Sequence, residues 1–199
     1  MSSGGHIETS SYIAPYAIII KVSTQNLDYF LGRLHYEVGV KMRTLKISTY
    51  LSADLETVKS YLMTPALLNY VVAGLMKFHP IEPNSFPSKW VEGKFSVKMF
   101  AFHFLPIGKQ IVGIEFPQKS DHWVVRDNGS GSIAKTWDHL IFLESEGGGT
   151  RYTDEVSIDA GLFTLPIYTY AFIFYSYRQM RWRKLVNLNF RPLNDQLIE

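Results

Sequence analysis

The chain has 199 residues, a formal net charge of +2 and no cysteine. So small a charge argues against a nucleic-acid partner, and the missing cysteines exclude disulfides, thiolate chemistry and cysteine-based metal sites. An apolar share of 46% against 19% charged residues is that of a globular chain able to bury a core, and the 15% aromatic share suits a bulky core, a lined pocket or an interface.

Residues 1–41 read as an N-terminal extension of uncertain structure, ahead of a domain spanning 42–199. The first ten residues are small and polar. Residues 14–22 form a β-rich apolar run around Ile18, Ile19 and Ile20, and 26–34 suit a short helix. No Lys or Arg precedes the run Tyr12 to Val22, which is shorter than the ~20 apolar residues of a membrane span. Neither a secretory signal nor a transmembrane segment is expected, and a cytoplasmic location is.

From Thr44 to Leu51 polar and apolar residues alternate as in a half-buried strand. Asp54 or Ser52 stands where it can cap a helix through Leu62, with Leu55, Val58 and Leu62 on one face. Thr64 and Pro65 pair a capping hydroxyl with a first-turn proline, and Gly74 can end that second helix. Six strand-like runs follow, at 75–81, 89–101, 109–116, 122–126, 133–143 and 150–159. Turn chemistry separates them at Pro83-Asn84, Pro106, Pro117, Asn128-Gly129 and the run Gly147 to Gly149. Asn128-Gly129-Ser130 matches a glycosylation acceptor but is read as a turn. Short strands joined by turns predict an antiparallel meander.

Leu165 to Asn189 predicts a closing helix about 36 Å long at 1.5 Å per residue, with Thr164 as its cap and Pro166 in its first turn. Tyr168, Phe172, Tyr175 and Trp182 recur at three-to-four spacing and are expected to meet the sheet. Ile167, Tyr170, Phe174 and Tyr177 lie on the other side, so the helix needs a second cover. The candidates are the extension, a second copy of the chain in a homodimer, or a peripherally contacted membrane surface. Arg178, Arg181, Arg183 and Lys184 read as a solvated helix end.

The run Trp137-Asp-His-Leu-Ile-Phe142, the run Gly149-Thr-Arg-Tyr-Thr-Asp-Glu-Val156 and a long helix bearing Tyr177-Arg178 and Leu185 resemble, in this order, the START-like polyketide-cyclase superfamily (SRPBCC). The entry Trp90-Val-Glu-Gly93 into a strand is similar too. The resemblance covers residues 42–189. It implies an α+β helix-grip fold in β-α-α-β6-α order, a seven-stranded curved antiparallel sheet wrapped around a long C-terminal helix with a cavity between them. Members bind lipids, sterols, polyketides, quinones or plant hormones, and a minority catalyse cyclisation or dehydration. The superfamily has no shared catalytic residue to carry onto this chain, and fold alone does not settle function.

No nucleotide-binding glycine loop, HExxH or GxSxG occurs, and His6, His35, His79, His103, His122 and His139 show no metal-ligand spacing. Neither metal nor cofactor is expected. Period-two alternation puts Trp137, His139, Ile141 and Leu143 on the inward face of one strand, and His103 on a face with Phe95, Val97, Met99 and Ala101. On the next strand Tyr152, Asp154, Val156 and Ile158 turn inward. A buried Asp154 must be paired or neutral, with His139 or an arginine as its partner. Arg151 and Glu155 on the outer face read as a surface pair of little worth.

A neutral imidazole in a greasy cavity can orient a ligand or act as acid or base; the plainer alternative for His139 and His103 is a satisfied core histidine. Pro106 to Gly108 and Asp127 to Gly131 are candidate mouth loops or plain turns. The expected ligand walls are Phe95, Met99, His103, Trp137, His139, Tyr152, Tyr168, Phe172 and Tyr175. Together these readings favour binding or transport of a small hydrophobic ligand (a lipid, polyketide, quinone or similar) with one polar end. The rivals are an aromatase/cyclase- or hydrolase-like enzyme using His139 and Asp154, and a membrane-associated interaction module.

Overall fold

The computed structural model describes residues 42–117 and 123–195. The readings made for the N-terminal extension, His6, His35 and His122 fall outside the described residues. The elements run β1 (Arg43–Leu51), α1 (Leu55–Leu62), α2 (Pro65–Val72), β2 (Met76–Glu82), β3 (Gly93–Ala101), β4 (Leu105–Glu115), β5 (Trp123–Gly131), β6 (Thr136–Glu146), β7 (Gly149–Asp159), a 3-10 turn (Gly161–Phe163), α3 (Thr164–Asn187) and α4 (Arg191–Asn194). All the strand pairs are antiparallel, in one seven-stranded sheet of order β1-β7-β6-β5-β4-β3-β2. This is the α+β helix grip expected from the sequence.

The caps set the two short helices. The Asp54 carboxylate accepts from the Thr57 N–H at 2.9 Å and from its hydroxyl at 2.7 Å. The Thr64 hydroxyl accepts from Leu67 N–H at 3.3 Å, ahead of Pro65 at the first helical position. Gly74, at φ +97°, turns the chain out of α2 towards β2. Thr164 differs from expectation. It is the first residue of α3, and its hydroxyl closes the preceding turn by accepting from Ala160 N–H at 3.0 Å and donating to Gly161 O at 2.7 Å.

Two glycine-bearing segments read as breaks are strand instead. β5 continues through Asn128 and Gly129, which pair with Asp138 and Trp137. Glycine serves close approach there, because a Cβ on Gly113 of β4 would stand 2.6 Å from the Asn128 carbonyl oxygen. Pro106 to Gly108 likewise belong to β4, where the register shifts between Met99 and Phe100. The turn lies earlier, with Phe102 and His103 at φ 49° and 73°.

The core fills the space between the concave face of the sheet and the helices. Trp182 of α3 is fully buried against Tyr152 of β7, ring centroids 5.7 Å apart. Part of the second cover that α3 requires is α2. Tyr177 Oη donates to Ala73 O at 2.6 Å, and Arg181 donates to Tyr70 O at 3.0 Å while its guanidinium lies 4.2 Å over the Tyr70 ring. The solvated end therefore holds only in part: Lys184 is exposed, but Arg183 donates to Thr49 Oγ1 at 2.7 Å, and Arg178 is buried. On the outer face, Arg151 pairs with Glu146 and Glu155 with Lys46, so Arg151 and Glu155 have other partners. Among the described residues no helix is long and apolar enough to cross a membrane.

Candidate functional site

A cavity of about 420 Å³ lies between the concave sheet, α2 and α3. Its walls are apolar over most of their extent. Leu67 and Val71 close it from α2, Met76, Met99, Val112 and Val125 from β2 to β5, and Ile167 and Phe174 from α3. The polar groups that border it are few: Gln110, Asp127, Trp137, His139, Tyr170, Tyr175 and Arg178. Few polar groups in an apolar envelope orient a ligand without supplying most of its contact area.

Of the wall residues expected from the sequence, Met99, Trp137, His139 and Tyr175 border the cavity. The other five do not. Phe95 turns inward but packs on Trp90 and Phe86, ring centroids 5.2 and 6.4 Å away. Tyr152 lies deeper, with its hydroxyl on Asp154. Tyr168 is half-buried against the core beside the cavity, and Phe172 is 54% exposed. His103 is exposed in the β3–β4 turn, where its Nε2 accepts from Gly74 N–H at 2.8 Å, because the strand ends before it.

Beneath the cavity sits a buried polar knot. The Asp154 carboxylate accepts from His139 Nε2 at 2.7 Å, Tyr152 Oη at 2.8 Å and Gln179 Nε2 at 3.0 Å. Burial opposes its ionisation, but the His139 hydrogen bond, the Arg178 charge and the Gln179 bond outweigh it, and the carboxyl stays below its ordinary value. Burial lowers His139 more than Asp154 raises it, so the imidazole is neutral near pH 7. A neutral ring that donates Nε2–H to a carboxylate presents Nδ1 as an acceptor. That nitrogen makes no hydrogen bond among the described residues, and the ring borders the cavity.

Trp137 Nε1 donates to Tyr175 Oη at 3.0 Å, tying sheet to helix. Burial raises the Tyr175 phenol, which keeps its own proton. Asp127, opposite His139 in the β5–β6 pair, accepts from Gly113 N–H at 2.8 Å. Burial pushes it up to about 7, against the Gly113 bond and the Arg178 charge. It is half-buried and borders the cavity.

The sequence reading places Asp127 in a mouth loop or turn and Arg178 on a solvated helix end, and does not single out Gln179; the structure puts Asp127 in β5 and buries Arg178 and Gln179. Asp127 lies two residues from buried Val125 and so on its face. Arg178 and Gln179 fall on the arc of Ala171, Phe174, Tyr175, Trp182 and Leu185. Both signals were present in the periodicity.

No protein-family model matches the chain, and no curated protein matches it. Solved structures do. A START superfamily protein from Mycobacterium smegmatis superposes with a TM-score of 0.56 at 9% identity, covering 74% of this chain and 99% of that one. A protein from Chromobacterium violaceum gives 0.53 at 14% identity, covering 72% and 96%. A conserved protein from Geobacillus kaustophilus gives 0.52 at 17% identity, covering 73% and 95%. At such identities the likeness is one of fold, and that fold is the START-like helix grip.

Proposed function

We propose that this protein binds or carries a small, mostly apolar molecule in the cavity between its sheet and α3. The observation that carries the reading is the cavity itself: about 420 Å³ with apolar walls and polar groups confined to a few side chains. Binding pockets for small molecules span ~300–1,000 Å³ and share that lining. Native mass spectrometry of the full chain, followed by solvent extraction, tests it. The expected result is a discrete added mass that extraction removes. Protein that carries no added mass and also fails to bind the neutral dye N-phenyl-1-naphthylamine refutes the reading.

The His139–Asp154 contact at 2.7 Å beside the cavity supports a second reading, an enzyme using that pair as acid and base. It expects the extracted compound to be converted by the parent protein and left intact by a folded His139→Gln variant. Recovery of unchanged compound from the parent favours the carrier.

A further inference from the structure

Arg178 is 6% exposed, yet its guanidinium makes no hydrogen bond or ion pair among the described residues, and its Nε is buried without a partner. The less buried Arg126, Arg151 and Arg181 all reach an oxygen. Buried charged donors are normally hydrogen-bonded, so a guanidinium that packs on the Phe174 and Tyr175 rings and borders a cavity leaves its N–H fork for an oxygen of the ligand. The Asp154 and Asp127 charges act on it from nearby, but neither carboxylate takes its N–H donors. Asp154 is engaged by three other donors, and Asp127 by the Gly113 N–H.

Tyr175, one turn before Arg178 on α3, also borders the cavity. The guanidinium lies 4.8 Å from its ring centroid. Because the Tyr175 oxygen accepts from Trp137, its own O–H is free to donate elsewhere. Two donors on neighbouring side chains thus border one chamber whose walls are mostly apolar.

We propose that the cavity selects apolar molecules bearing a single carboxylate, held by the Arg178 guanidinium with the Tyr175 O–H as second donor. The proposal rests on the ligand-binding reading above and narrows it to one ligand class. A planar fork of N–H donors matches a carboxylate edge. Asp127 and Asp154 nearby disfavour a doubly charged head such as a phosphate monoester.

The test loads the full chain with N-phenyl-1-naphthylamine at pH 6 and displaces the dye with decanoate or decan-1-ol. The parent is expected to prefer decanoate by about tenfold or more. Arg178→Gln abolishes that preference, whereas Arg178→Lys keeps part of it. Equal displacement by both compounds from the parent, or a preference that survives in Arg178→Gln, overturns the carboxylate assignment while leaving the cavity reading intact. A parent that binds no dye and carries no extractable mass removes both, and one that binds no dye but releases a compound without a carboxylate overturns the assignment alone. If Arg178→Gln loses its native circular dichroism, the parent comparison and Arg178→Lys decide: no preference in the parent, or one of full size in Arg178→Lys with its single point of charge, rules out the guanidinium fork.

Discussion

Asp127 occupies an inward position on β5 between Ile114 of β4 and His139 of β6, and its carboxyl is strongly perturbed. Burial lifts it from 3.8 to about 7. Because the folded value lies above the unfolded one, ionisation costs the folded state. Stability from this group is full below about pH 4 and is lost as pH rises through about 7. A shift of that size corresponds to about 4 kcal/mol at most, and partial access to water reduces it to roughly 1–2 kcal/mol. Asp127→Asn keeps the acceptor for Gly113 N–H and removes the charge. Its midpoint of thermal unfolding is expected to exceed the parent's at pH 8 and to match it near pH 4. A variant less stable than the parent at pH 8 would mean that the attraction of Arg178 for the ionised Asp127 outweighs the cost of burying it.

Among the elements, the joint between α2 and α3 depends on one glycine. Gly74 has φ +97°, and a Cβ there would stand 2.9 Å from Tyr177 Oη, which itself donates to Ala73 O. Gly74→Ala therefore combines left-handed strain with a displaced hydroxyl, at a cost of about 1–3 kcal/mol. Adding Tyr177→Phe is expected to recover part of the loss, measured by urea unfolding; full additivity would show that the clash contributes nothing. The caps at Asp54 and Thr64 and the alternation of β1, β6 and β7 made those elements legible in sequence. Asn128-Gly129 was not, because glycine marks close backbone approach as readily as a turn, and only the β4 partner distinguishes them. The face of α3 was set by counting aromatics alone. At about 100° per residue Phe172 lies about 60° from Tyr175, just outside the buried arc that runs from Phe174 to Gln179. Counting every residue on that arc would have brought Arg178 and Gln179 inward with Tyr175.

Across the whole molecule, the fold gathers ionisable groups from four elements around one cavity wall. Asp127 comes from β5, His139 from β6, Asp154 from β7 and Arg178 from α3. Asp127 also meets the Gly113 N–H on β4 and the more distant Asp138 charge on β6, while His139 across the strand pair stays neutral. This arrangement links carboxylate binding to a proton. In the free protein the Arg178 charge pulls the Asp127 value down. A bound carboxylate neutralises that charge and adds its own repulsion, so Asp127 rises above about 7 in the complex. Binding then takes up a proton between the free and bound values, and affinity falls as pH climbs above about 7. Calorimetry of decanoate binding in two buffers of different ionisation enthalpy reads this directly. Net uptake is expected near pH 7.5, little near pH 6, where decanoate is still ionised, and none at either pH in Asp127→Asn. Proton release on binding, or uptake that persists in Asp127→Asn, would place the linked group elsewhere than Asp127.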